Sequence, residues 1–200
     1  MILVLGDSFS YGLGLRKCEF FSDPPSPFTW CYQLGREVDN RSTPGASNAE
    51  IAYNFIQYFD PEKYSAVIVV WSLLTRVFHP DHQTDGGLHS VLPSDPDVAT
   101  FYSKYYDERV ANLELAAYIS LVENVSTVPV LHDFIDKDLD RTLIDRVPKT
   151  LIDPSDYNSF VAVHRSTGST PGFYGHHFSE VTHAKWAKEY VVPALLRHGL

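Results

Sequence analysis

MILVLGDSFSYGLG, residues 1–14, begins with an apolar run that stops abruptly on Gly6-Asp7-Ser8. A short, continuously apolar segment suits a strand covered on both faces of a parallel sheet, because such a strand has no solvent side toward which to alternate. "AVIVVW" at 66–71 and "VPVLH" at 128–132 repeat the pattern. Between these runs the period changes. Ile51, Phe55, Ile56 and Phe59 recur at helical spacing, as do Val110, Leu113, Ala117 and Leu121. Strands alternating with helices imply βαβ units, and hence an α/β fold with a mainly parallel sheet.

The remaining elements follow from punctuation. "PFTWCYQLGREV" at 27–38, entered through the Pro-rich "DPPSP", is expected to be a helix, and "NRSTPG" at 40–45 a short second strand leading into a turn. The last helix is expected to begin near Ser179, a good N-cap followed by Glu180, and to turn Trp186, Ala187, Tyr190, Val191, Ala194 and Leu195 inward. Residues 77–100 and 133–172 carry few periodic runs and are expected to be long loops, of the kind that serve as lids over a site. A chain of 200 residues without repeats is expected to form one domain over 1–200.

Composition narrows the partners. With 25 acidic against 16 basic residues the net charge is -9, and no Lys/Arg cluster exceeds the pair Arg16-Lys17. Nucleic-acid affinity comes largely from clustered cations, so a phosphate-backbone partner is not expected. No apolar segment approaches the ~20 residues that span a bilayer, and Met1 runs straight into "ILVLG" without a basic region or cleavage site, so no membrane partner and no export are expected. Cys18 and Cys31 are too few for a disulfide framework or a four-ligand zinc site; free thiols or a single bridge remain.

In an open parallel sheet the working crevice lies beyond the carboxyl ends of the strands. Residues that follow the apolar runs are therefore grouped: Gly6 to Ser8, Gly45 to Asn48, Ser72 to Arg76, and His132-Asp133, with His176, His177 and His183 added by "GFYGHHFSEVTH" before the last helix. A serine, several histidines and small residues able to offer backbone donors would converge on one edge.

The chain resembles the SGNH, or GDSL-type, serine hydrolases in "GDSFSYG" after the first strand, "PGASNAEI" after the second and "HHFSEVTHAKWA" at the C-terminal helix, in the family's order and rough spacing. That resemblance implies a three-layer α/β/α, flavodoxin-like fold and an esterase activity without a cofactor. It implies Ser8 as nucleophile and His177 as its base, with His176 and His183 as local rivals and His183 read as a support of the loop. A serine hydroxyl needs such a base to take its proton as it attacks. The resemblance further implies backbone N–H groups of Ser8 and Gly45 as oxyanion donors.

Two features depart from the family. After the third strand the chain reads "WSLLTR" where the family commonly has Gly-x-Asn-Asp, so Ser72, Thr75, Arg76 or Asn48 must stand in as the third donor. Where the family places an aspartate before its histidine, this chain has Tyr174 and Gly175; Asp133, Asp136 or a backbone carbonyl is left to orient His177. Asp7 reads as a partner of its own turn rather than as the triad acid. His79, Asp81, His82, Asp85 and His89 invite a zinc reading, but Pro80 and the Gly86-Gly87 pair break helical register, and no metal is expected. The expectation is an esterase of reduced activity on a small acyl ester, such as an O-acetylated carbohydrate. The alternative is a catalytically degenerate carbohydrate-binding or particle-associated structural module of the same fold.

Overall fold

The structure, a computed structural model, describes residues 1–20, 22–78, 90–91, 99–135 and 177–200. Its centre is a parallel sheet of β1 (Ile2–Leu5), β2 (Val38–Asn40), β3 (Ala66–Trp71) and β6 (Val130–Phe134), in the order β2-β1-β3-β6. All residues of β1, β3 and β6 are buried, the burial that their unbroken apolar character implies. The second strand occupies 38–40 rather than 40–45. The chain leaves it at Arg41 and turns through Thr43, whose N–H reaches the Gly6 carbonyl at 3.0 Å.

Side chains of β3 alternate between two cores. Val67, Val69 and Trp71 join Phe55, Leu115, Ile119 and Val122 from α2 (Asn48–Tyr58) and α4 (Glu108–Val125). Ala66, Ile68 and Val70 join Trp30, Trp186, Val191 and Leu195 on the other face. The C-terminal helix there comprises α5 (Glu180–Trp186), a π turn at Ala187–Val191 and α6 (Val192–Arg197). Ser179 caps it, and Trp186, Ala187, Val191, Ala194 and Leu195 are buried as expected, with Tyr190 partly so. Trp186 meets Trp30 edge-on, with ring centroids 4.8 Å apart. Helices on both faces of a parallel sheet make the three-layer α/β/α architecture.

Local patterns failed in instructive places. The helix expected over 27–38 shrinks to one 3-10 turn, Trp30–Gln33, because Gly35 at φ 68 turns the chain into the left-handed region. A short helix not foreseen, α1 (Ser8–Tyr11), follows β1 directly. In α4 the helix forms, but Val110, Leu113 and Leu121 lie on its outer side, and in α2 Ile56 is likewise exposed. The buried row of α4 is Asn112, Leu115, Ile119 and Val122, roughly opposite the exposed one at about 100° per residue. Asn112 is tolerated in that row because its Nδ2 donates to the Glu108 carbonyl at 2.9 Å.

Most of the long stretches expected at 77–100 and 133–172 falls outside the described residues. Within them, Val77–Phe78 (β4) pairs antiparallel with Ser90–Val91 (β5), α3 (Ala99–Tyr105) begins at 99, and residues 133–134 complete β6. His79, Asp81, His82, Asp85, His89, Asp136 and His176 also lie outside the described residues. No helix among the described residues is long and apolar enough to cross a membrane. Cys18 and Cys31 are free and buried.

Candidate active site

The end of β1 places Ser8 at the carboxyl edge of the sheet. Asp7 caps α1: its Oδ1 accepts the Phe9 N–H at 3.0 Å, and Ser8 starts the helix. Gly6 is required by crowding. A Cβ there would sit 2.9 Å from the Ser10 Cβ and 3.2 Å from the Val70 carbonyl oxygen. Gly12, at φ 82, ends the helix after one turn and donates back to the Ser8 carbonyl. The result is a tight strand–turn–helix bend with Ser8 at its apex, 6% exposed.

His177 arrives from the other end of the chain. Its Nε2 lies 2.9 Å from the Ser8 Oγ, within hydrogen-bonding distance. Two contacts hold the segment: the Phe9 ring packs against His177 and Phe178, with centroids 5.1 Å away in each case. Immediately afterwards the Ser179 hydroxyl accepts the Thr182 N–H, which starts α5. An exposed bidentate pair, Arg16 to Glu180 at 2.6 and 2.7 Å, ties the loop after α1 to the first turn of α5.

His183 lies beneath this loop, wholly buried. Its Nδ1 accepts the Trp30 N–H at 3.2 Å, so the proton of the neutral ring is on Nε2. Burial first, and the neighbouring His177 second, push its pKa down to about 3. His183 therefore stays neutral at physiological pH while bracing the 3-10 turn against α5.

The turn after β2 brings Gly45 to the same edge. Its φ of 83 is a left-handed conformation that glycine adopts without strain, and nothing stands within 4 Å of where a Cβ would be. Neither the Ser8 nor the Gly45 N–H donates to a carbonyl among the described residues.

Of the other residues singled out in the sequence, Ser72 and Asn48 bind each other. The Asn48 Oδ1 accepts the Ser72 N–H at 2.7 Å and its Nδ2 donates to the Ser72 carbonyl at 3.2 Å, so the amide clamps α2 to the end of β3. Ser47, not Asn48, caps α2. The Ser72 hydroxyl donates to the Asp7 Oδ2 at 2.9 Å, and Arg76 donates to that same oxygen at 2.9 Å through Nη1. Asp7 is fully buried. Burial raises its pKa, while the Arg76 charge and the hydrogen bonds from Phe9, Ser72 and Arg76 pull it back. This Asp7–Ser72–Arg76 unit escaped the local pattern; the one signal for it was an arginine just past a buried strand, which calls for an acid nearby.

Asp133 is not joined to the Ser8–His177 pair. It lies in β6, in register with Val70 of β3, and no hydrogen bond joins it to His177 among the described residues. Burial pushes its carboxyl up to about 7, against one backbone hydrogen bond from Phe134. His132 is also misplaced by the crevice argument. It belongs to the interior of β6, where Trp71 Nε1–H donates to Nδ1 at 3.0 Å and Nε2 meets Glu123 at 2.9 Å. That chain faces α4, across the sheet from the C-terminal helix.

No protein-family model matches the chain, and no curated protein does so. Solved structures do. TesA superposes with a TM-score of 0.59 at 16% identity, covering 97% of each chain. An acetyl xylan esterase, AlAXEase, superposes at 0.52 and 10% identity over 100% of both chains. A lipase/acylhydrolase from Enterococcus faecalis superposes at 0.50 and 17% identity, over 99% of this chain and 95% of that one. A parallel sheet between two helical layers, matched over nearly the full length of these proteins, gives the chain the α/β/α fold of the SGNH/GDSL hydrolases.

Proposed function

We infer that the protein is a serine ester hydrolase working through an acyl-enzyme on Ser8. The observation that carries this reading is the 2.9 Å separation between His177 Nε2 and Ser8 Oγ, made by residues 169 positions apart. Such a contact has no packing role that a simpler pair would not fill, and it is the geometry a general base needs.

In this mechanism the Ser8 oxygen forms a bond to the ester carbonyl carbon as its proton passes to His177 Nε2. The carbonyl π pair moves onto oxygen, where the Ser8 and Gly45 N–H groups receive it. Collapse of the tetrahedral species breaks the bond to the alkoxide, which leaves with the proton from His177. A water molecule then repeats the sequence on the acyl-enzyme and releases the acid. His183 contributes by its neutrality: a second positive charge beside the transient imidazolium would oppose its formation.

A small acyl ester, such as an acetate on a carbohydrate, is the proposed substrate class. The acetyl xylan esterase and the lipase/acylhydrolase among the structural neighbours are in keeping with it. The test is a fluorophosphonate probe with the adduct located by mass spectrometry, beside turnover of a chromogenic acetate ester by the wild type and by Ser8→Ala. An adduct on Ser8 and turnover lost in Ser8→Ala support the mechanism. An adduct elsewhere, or turnover that survives the substitution, refutes it. No adduct together with a glycan affinity that persists in Ser8→Ala points to the binding module instead.

A further inference from the structure

An alkoxide oxygen has three lone-pair directions, and the Ser8 and Gly45 N–H groups address two of them. The side chains that could address the third cluster around Asp7, one residue from the nucleophile. Ser72 cannot do so as placed, because its single O–H goes to the Asp7 Oδ2 at 2.9 Å. Asn48 has its Oδ1 and one Nδ2 hydrogen engaged by the Ser72 peptide, leaving one N–H. Among the described residues Arg76 engages Nη1 alone, which donates to Asp7 Oδ2 at 2.9 Å and Ser72 Oγ at 3.1 Å. Its Nη2 and Nε donate to nothing among the described residues, so a fixed fork of three N–H groups with a full positive charge remains.

The burial of the ion pair is uneven in a telling way. The Asp7 side chain is 0% exposed and that of Arg76 12%. The guanidinium is thus the less buried partner of the pair, anchored through Nη1 to the carboxylate of the residue next to Ser8. Resting on the hydrolase reading above, the geometry points to Arg76 as a further catalytic residue, whose unengaged N–H edge receives the oxyanion formed when Ser8 attacks. Asp7 and Ser72 hold the fork in place.

In the resting enzyme the Asp7–Arg76 pair is close to neutral overall, so it offers little attraction to an uncharged ester. Its donors gain strength only as negative charge develops on the carbonyl oxygen. The contribution accordingly falls on kcat and not on KM.

The test uses the full chain, an ester substrate, and a trifluoromethyl ketone that Ser8 adds to reversibly. In that adduct the Oγ–carbon bond forms, the serine proton goes to His177 and the ketone oxygen carries the negative charge. Asp7→Asn/Arg76→Met removes both charges together, so that no buried carboxylate is left alone. The expected result is a loss in kcat of about 10²–10³-fold, KM within about threefold, and a matching loss of ketone affinity. Arg76→Lys keeps the charge without the fork and is expected to fall between the two; it also decides the matter should the double variant not fold. Wild-type ketone affinity in either folded variant makes Arg76 a structural partner of Asp7 and overturns the inference. So does an equal loss in Asn48→Asp with Arg76 variants unaffected, which transfers the role to the remaining Asn48 N–H. A wild type that forms no ketone adduct at all refutes the hydrolase reading itself, a different outcome from both.

Discussion

Replacing Asp133 by Asn should stabilise the protein, increasingly as pH rises from 3.8 to about 7. Asp133 is buried near the end of β6 and forms no ion pair among the described residues, and burial lifts its carboxyl from 3.8 to about 7. Between those values the folded protein holds a proton that the unfolded chain has released, so stability falls as pH rises, by about 1.4 kcal/mol per pH unit. Above about 7 the loss is complete. The gap between 3.8 and about 7 makes it about 4 kcal/mol, an upper figure because buried carboxylates draw in water and relax. Asn keeps the shape without the charge. Relative to the wild type, Asp133→Asn is therefore expected to be near neutral at pH 4 and more stable by about 2–4 kcal/mol at pH 8. The assay is urea unfolding at pH 4, 6 and 8, followed by tryptophan fluorescence, since Trp30, Trp71 and Trp186 are all buried. Comparing the two proteins at each pH cancels every other titrating group. A difference that does not grow with pH, or an Asn variant less stable at pH 8, would refute the account of Asp133 as an uncompensated buried acid.

His183 predicts the opposite slope. Its folded pKa of about 3 lies below the ordinary 6.5, so stability is lost as pH falls, by about 2 kcal/mol between pH 6.5 and 5. His183→Gln, which keeps an acceptor for the Trp30 N–H, should flatten that limb in urea titrations. Gly45→Ala introduces backbone strain alone, about 1–2 kcal/mol, whereas Gly12→Ala adds contacts of 2.9 Å to the Ser26 and Thr29 Cβ atoms; chemical denaturation should find the second variant clearly less stable. Arg16→Met should slow ester turnover by less than about fivefold, about 1 M NaCl should reproduce the effect in the wild type, and the exchange R16E/E180R should restore the rate.

How much of this was legible depended on whether a signal was local. The runs at 2–5 and 66–71 have no polar side at all, and only a two-sided burial accommodates them, so their placement followed from composition. α4 carries apolar residues on two opposite sides. The row 110, 113, 117, 121 and the row 112, 115, 119, 122 both satisfy a helical period, and tertiary packing alone decides between them. Trp30, Cys31 and Leu34 are buried at helix-like spacing, but Gly35 stops the turn before a helix can grow. Ser8 and His177 were named from ordered motifs, and their closeness needed the fold. The pairing of Asp7 with Arg76 spans 69 residues, so no window in the sequence contains both partners. His132 is hidden in the sequence for a related reason: β6 runs two residues past the apolar stretch at 128–132, which draws His132 into the sheet interior.

The two cysteines have a practical consequence. Cys18 and Cys31 are the whole thiol complement of the chain, both buried, with burial pushing them up to about 11 and about 12. At pH 8 roughly one Cys18 in a thousand is the reactive thiolate, and fewer for Cys31. Maleimide or spin-label chemistry would therefore pass over the native protein. A single new cysteine on the outer side of α4 would then take the label alone, giving a site-specific reporter on an otherwise unaltered chain.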